Sequence, residues 1–115
     1  MNQLELVKSL LIKELVMEEA EVEVFLALLK IEKSTSKEIV NFTNKSKEEI
    51  IEVARGLESK GMIIEVNKNE FRALHPRFAV VNRYRQICVD NNIEFKKNLK
   101  IDQLAVITEK YQDSF

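Results

Sequence analysis

A single mainly α-helical domain carrying one small β-hairpin is the architecture this sequence predicts, on three observations. The chain has 115 residues but only 2 Gly and 1 Pro, too few turn formers for a many-stranded β fold or a low-complexity chain. Apolar residues recur at spacings of three and four along most of its length, the period of a helix face. Between residues 62 and 74 alone, a β-branched run, a polar turn and an alternating run follow one another, as in a hairpin. The length suits one domain, and 45% hydrophobic with 32% charged residues describes a folding chain rather than a disordered one.

The elements follow in order. Leu4, Val7, Leu11 and Leu15 mark a first helix over about 4–15. Glu18 and Glu19 open a second, where negative charge suits the positive end of the helix dipole. Its core stripe is Val22, Phe25, Leu26 and Leu29, and Val24, Leu28 and Ile31 give a second apolar strip, so this helix is expected to be buried on two sides. Ser34 or Thr35 can cap a short helix over 36–42, with Glu38 three residues after Thr35 as in a capping box. Thr43-Asn44-Lys45 reads as a turn. Ser46 caps the next helix and Glu49 completes a second capping box. Ile50, Val53, Ala54 and Leu57 share one side of that helix, and Gly61 ends it as a C-cap glycine does. Met62–Val66, the turn Asn67-Lys68-Asn69-Glu70 and Phe71–Leu74 make the hairpin, whose apolar side must pack on the helices because an isolated hairpin is only marginally stable. Pro76 suits the first turn of a further helix.

From Pro76 to Phe115 there is no further Gly or Pro. One continuous helix over this stretch would reach about 60 Å at 1.5 Å per residue, too long to pack only on a small core, and its apolar stripe would need a second copy of the chain. The alternative is a break at Asn91-Asn92 with the two halves packed as a helical hairpin. Residues 1–75 are therefore read as the core domain and 76–115 as a helical dimerisation segment. Phe78, Val81, Tyr84, Cys88, Phe95, Leu99 and Leu104 are its expected contact residues, and a homodimer is the expected assembly.

Helices, a short helix, a turn, a capped helix, a two-stranded hairpin and a long helical tail are ordered as in a winged helix-turn-helix, in which the hairpin forms a wing beside the third helix of the core. At this point the residues resemble a known group. Leu15-Val16-Met17-Glu18-Glu19-Ala20-Glu21-Val22-Glu23-Val24-Phe25-Leu26-Ala27-Leu28-Leu29-Lys30 resembles the opening of TrmB-like archaeal regulators. Thr35-Ser36-Lys37-Glu38-Ile39 resembles their second helix, and Leu57-Glu58-Ser59-Lys60-Gly61-Met62-Ile63 their passage from recognition helix to wing. The resemblance covers roughly residues 14–75, and broader winged-helix groups such as MarR-like proteins share its last piece. It implies a transcription regulator that lays its third helix in the DNA major groove, usually as a dimer. Two departures stand out: Ile31-Glu32-Lys33 replaces a glycine common after the first family helix, and the recognition helix opens Lys45-Ser46-Lys47-Glu48-Glu49-Ile50-Ile51 where the family often has a Ser/Arg-rich stretch followed by Val-Tyr. Sugar sensing, found in larger members, is not carried over, because about 40 residues follow the wing.

Charge is uneven along the chain, although the formal net charge is only −1. Residues 60–85 hold Lys60, Lys68, Arg72, Arg77, Arg83 and Arg85 against Glu65 and Glu70, whereas residues 1–59 are net acidic. Such a local patch governs docking even where net charge is near zero. On the third helix, Glu48, Glu52, Arg55 and Ser59 fall opposite the apolar side, and carboxylates there match phosphate poorly. The cations around that face fit better: Lys45, Ser46 and Lys47 at the helix entrance, where backbone N–H groups also attract phosphate, Lys37 on the preceding helix, Lys68 at the wing tip, Arg72 on its second strand and Arg77 just after it. With Arg55 they form the expected DNA site, one that positions a duplex while specifying little sequence. The competing reading is a protein-interaction module whose acidic third helix docks a basic partner.

Other chemistry finds little support. Two glycines cannot supply a phosphate-cradling loop. His75 and Cys88 have no second His or Cys to complete a zinc site, which needs about four ligands, and no oxyanion signature to form a catalytic pair. His75 reads as a capping or loop residue and Cys88 as a buried thiol. Paired carboxylates such as Glu18-Glu19 and Glu48-Glu49 suit helix N-termini better than acid–base catalysis. No enzyme activity and no cofactor are expected. One Cys forms no internal disulfide, which fits a reducing compartment. No apolar run reaches the roughly 18 residues of a membrane helix, and Met1-Asn2-Gln3-Leu4-Glu5 lacks a signal-peptide pattern, so a cytoplasmic protein with no membrane partner is expected.

Overall fold

The computed structural model describes residues 2–31, 34–35, 39–40 and 43–114. Its elements are α1 (Gln3–Leu15), α2 (Glu19–Lys30), β1 (Ser34–Thr35), α3 (Lys47–Ser59), β2 (Ile63–Asn67), β3 (Glu70–Ala73), α4 (Pro76–Asp90) and α5 (Leu99–Asp113). Residues 39–40, between β1 and α3, are helical. The remainder of the short helix expected over 36–42, with Lys37, lies outside the described residues. This is a winged helix-turn-helix: α3 is the recognition helix, and β2 and β3 are the wing.

Local chemistry sets the boundaries. Asn2 caps α1 by accepting from the Glu5 backbone N–H at 2.8 Å. Glu18 and Glu21 form a reciprocal capping box on α2, as Ser46 and Glu49 do on α3. Asn69, at φ 58°, turns the wing, and Gly61, at φ 75°, releases the chain from α3 into β2. The sheet has one strand more than the hairpin expected. Ser34–Thr35 pairs antiparallel with β3, Ser34 opposite Phe71, giving the order β1-β3-β2. This two-residue strand precedes the helix that those residues were expected to cap, and its apolar context comes from β3 rather than from its own sequence.

One core joins all of this. From α2, both expected strips are inside: Val22, Val24, Phe25, Leu26, Leu28 and Leu29 are all buried. Val7, Leu11 and Leu15 meet them from α1, Ile50, Ala54 and Leu57 from α3, and Met62, Ile63 and Phe71 from the wing.

The C-terminal stretch folds back. α4 ends at Asp90, Asn92 takes φ 55°, and Asn98 caps α5 by accepting from the backbone N–H groups of Lys100 (3.0 Å) and Ile101 (3.4 Å). The longest dimension of the molecule is 38 Å, well short of a continuous helix over residues 76–115. Ile101, Leu104 and Ala105 of α5 are buried in the common core.

The expected stripe on α4 is corrected in phase. Its inward residues are Ala79, Val80, Arg83 and Cys88, while Phe78 is 67% exposed. Polar side chains cause this turn of the helix, because they satisfy the ends of other elements. Asn82 donates to the Gly61 carbonyl at 2.9 Å and Gln86 to the Ser59 carbonyl at 2.9 Å. Buried Arg83 donates through Nε to the Leu15 carbonyl at 2.9 Å and through Nη2 to that of Val16 at 3.4 Å. These are orphan acceptors at the negative end of α1, where a cation is favoured. Cys88 and Leu104, read above as dimer contacts, belong to this chain's own interior. Val81 and Tyr84 are half-buried, and Phe95 and Leu99 are exposed.

Gly61→Ala would meet two penalties, a left-handed backbone and a Cβ only 3.0 Å from that of Asn82. It is expected to lower stability by at least about 1–2 kcal/mol. The measurement is a shift of the urea midpoint at unchanged slope.

Candidate nucleic-acid interface

The outer face of α3 is the one the helical period assigns: Glu48, Glu52, Arg55 and Ser59 are exposed, opposite buried Ile50, Ala54 and Leu57. Lys47 is exposed in its first turn. Ser46 is exposed as its cap, with its hydroxyl accepting from the Glu49 N–H at 3.2 Å. The wing stands at the other side, with Lys68 exposed at its tip and Arg72 exposed on β3 opposite Ile64.

The cations of this region divide into two groups. Lys45, half-buried, pairs with Glu23 of α2 at 3.0 Å. Arg77 pairs with Glu109 of α5 at 3.1 Å, and the same carboxylate meets His75 Nε2 at 2.9 Å. His75 also caps α4, its Nδ1 accepting from the Arg77 N–H at 3.2 Å, which agrees with the capping role read from sequence. Lys47, Lys68 and Arg72 make no ion pair among the described residues.

Arg55 is the most committed of the paired cations. Its guanidinium makes a two-pronged contact with Glu65 on β2, Nη1 to Oε1 at 2.9 Å and Nη2 to Oε2 at 2.9 Å, and reaches Glu58 at 3.3 Å. It also lies 5.4 Å from the centre of the Phe71 ring. Glu65 passes the link on, accepting from the Asn69 N–H at the wing tip at 2.8 Å. A carboxylate on β2 thereby joins the recognition helix to the tip of the wing. The Arg55 guanidinium, then the Asn69 N–H, hold the Glu65 carboxyl below its ordinary value of 4.5, and Glu65 in turn raises Arg55. Arg55 is among the DNA contacts expected from sequence, and Glu65 is not among the expected site residues. The signal was there in period two: Ile63, Glu65 and their partners Ala73 and Phe71 share the sheet face turned to α3.

A second carboxylate, Glu21 of α2, is buried and pairs with Lys60 at the end of α3. It fixes the far end of the recognition helix, as Lys45–Glu23 fixes the near end. Among the described residues no cluster of His, Cys, Asp or Glu could hold a metal ion, and no helix is long and apolar enough to cross a membrane.

This arrangement of recognition helix, wing and surrounding cations coincides with a family match. The family model described as sugar-specific transcriptional regulator TrmB matches residues 11–85, well over half of the chain. The chain belongs to the TrmB family. That family consists of transcriptional regulators with a helix-turn-helix DNA-binding domain, and the matched span runs from the middle of α1 through the wing into α4. No curated protein and no solved structure matches this TrmB-family chain.

Because Glu65 titrates lower in the folded state than in the unfolded chain, the stability it contributes is present above its ordinary value of 4.5. That contribution is lost as pH falls through the folded value. Glu65→Gln is therefore expected to be less stable than wild type near neutral pH, and to lose less stability on acidification. Urea midpoints measured between about pH 6 and pH 3 check this, and parallel pH profiles would contradict it.

Proposed function

We propose that this chain binds duplex DNA through α3 and the wing, with Lys47, Lys68 and Arg72 as its principal phosphate contacts and transcription control as the outcome. The observation that carries the reading is the division of cations just described. Lys45, Arg55 and Arg77 are taken up in ion pairs with Glu23, Glu65 and Glu109, while Lys47 in the first turn of α3 and Lys68 and Arg72 on the wing are exposed and make no ion pair among the described residues. Lys45, Arg77 and Arg55 act as supports rather than as the contacts expected from sequence. Backbone N–H groups near the α3 N-terminus add to the attraction for phosphate. Contacts of this kind set position and register, and Glu48 and Glu52 leave little means of reading guanine from α3.

One observation favours a second reading, a docking surface for a basic protein: Glu48, Glu49 and Glu52 are exposed together on the first two turns of α3. Assembly as a homodimer remains part of the proposal. With Cys88 and Leu104 inside the chain, its contacts would come from exposed residues of the helical hairpin such as Phe95 and Leu99.

The experiment is fluorescence anisotropy with duplex DNA across a salt series, with light scattering on the same samples to count protomers. Three phosphate contacts per protomer give a logarithmic salt slope of about −3 per protomer. Lys68→Glu/Arg72→Glu is expected to weaken binding at least about tenfold and flatten the slope, and Glu48→Lys/Glu52→Lys to strengthen it. Absence of binding at low salt and tens of micromolar protein would reject the DNA reading in favour of a protein partner.

A further inference from the structure

A cavity of about 370 Å³ opens on the side of the molecule where α1, α2, the turn before α3 and the end of α5 meet. That volume falls within the range of small-molecule sites, which combine apolar walls with a few placed polar groups. Here the walls come from Leu26 and Ala27 of α2 and Leu4 of α1, with Tyr111 of α5. The charged groups are Lys8, Glu23 and Lys30. Glu23 is already neutralised by Lys45 at 3.0 Å, so two ammonium groups remain, and among the described residues neither has a carboxylate partner.

The two differ in what they have left to offer. Lys30 donates to the backbone carbonyls of Tyr111, at 2.6 Å, and Ser114, reaches the Ser114 hydroxyl at 3.3 Å, and sits 4.3 Å from the centre of the Tyr111 ring. An ammonium has three donors, so Lys30 is held in place with all three engaged and offers the cavity its positive charge. Lys8, half-buried at the same cavity, makes no hydrogen bond among the described residues. One free donor set beside a second, fixed positive charge suits a single carboxylate better than a doubly charged phosphate.

We propose that this cavity binds a small monocarboxylic acid with an apolar body, its carboxylate accepting from Lys8 in the field of the Lys30 charge and its body lying against Leu26 and Ala27. The cavity is also lined by Thr43 and Asn44, the turn that leads into α3. The Thr43 hydroxyl accepts from the Lys45 N–H at 3.4 Å. An occupant therefore touches the connection that sets the approach of the recognition helix, and its binding changes DNA affinity; this last clause rests on the function proposed above.

The test begins on the full chain without DNA. Benzoate is titrated into labelled protein and followed by backbone amide NMR shifts, with benzamide as the neutral counterpart. Benzoate is expected to give saturable shifts at Ala27, Asn44 and Tyr111 with a Kd of about 1 mM, ordinary for so small a ligand. Benzamide is expected to bind at least about tenfold more weakly, because it lacks the charge the two ammonium groups meet. Lys8→Gln, a change on a half-buried helical residue, should weaken benzoate to the same extent, and Lys97→Gln, outside the cavity, should leave it unchanged. Linear or scattered shifts up to about 20 mM, an equal response to benzamide, or indifference to Lys8→Gln would each overturn the proposal. DNA anisotropy at saturating benzoate then reads the coupling, expected as at least a threefold change in affinity. Saturable benzoate binding by a chain that binds no DNA would reject the DNA reading and leave the ligand site standing.

Discussion

Helix α2 is apolar on two sides, and the rest of the molecule is arranged by the need to cover both. Val22, Val24, Phe25, Leu26, Leu28 and Leu29 are all at or below 5% exposure. One small layer of structure cannot hide that much of a helix. The recognition helix and sheet lie against it, and α1 and the returning α5 complete the enclosure. Burying a large aliphatic or aromatic side chain is worth about 1.5–3 kcal/mol, so separating either group of elements from α2 would expose several such side chains at once. The helix-turn-helix and the helical hairpin consequently form one packed body around a shared helix.

Packing fixes where α3 lies, and charge fixes the wing relative to it. Glu21–Lys60 and Glu23–Lys45 tie the two ends of the recognition helix to α2, and Arg55–Glu65 ties its middle to β2. The partly exposed pairs Glu23–Lys45 and Arg55–Glu65 each contribute little to stability. Their consequence is geometric: they hold α3 and the wing at a set relation and give each of those cations a carboxylate partner. A chain with a formal net charge of −1 thus presents a few exposed cations around an acidic helix face.

The sequence made most of the architecture legible because its signals were local. The Ser46–Glu49 capping box, Gly61, the Asn-rich wing turn, Pro76 and the two-sided stripe of α2 each depend on residues within a few positions of one another, and each stands where expected. What it did not disclose depends on distant partners. Arg83 reaches back to the end of α1, and with Asn82 and Gln86 it turns α4 so that Phe78 faces outward. Ser34–Thr35 becomes a strand only because β3 is there to pair with it. Arg55 reads as an unpaired cation until Glu65 is placed beside it, and Cys88 and Leu104 read as dimer contacts until the chain folds back. The local signal for that return is Asn91-Asn92, where the alternative reading sets the break and where α4 ends, and Asn98 then caps α5.

The central claim is that the cations supporting the fold differ from those meeting DNA, with Arg55 on the supporting side. The most direct measurement removes both charges of one pair. In Arg55→Gln/Glu65→Gln the net charge is unchanged and residue 65 keeps a carbonyl oxygen for the Asn69 N–H, while α3 loses its only exposed arginine. The account predicts a thermal midpoint close to that of wild type and duplex affinity within about threefold, or about 0.7 kcal/mol. A loss of tenfold or more in affinity with the fold intact would show that Arg55 itself meets the DNA, and would contradict the account.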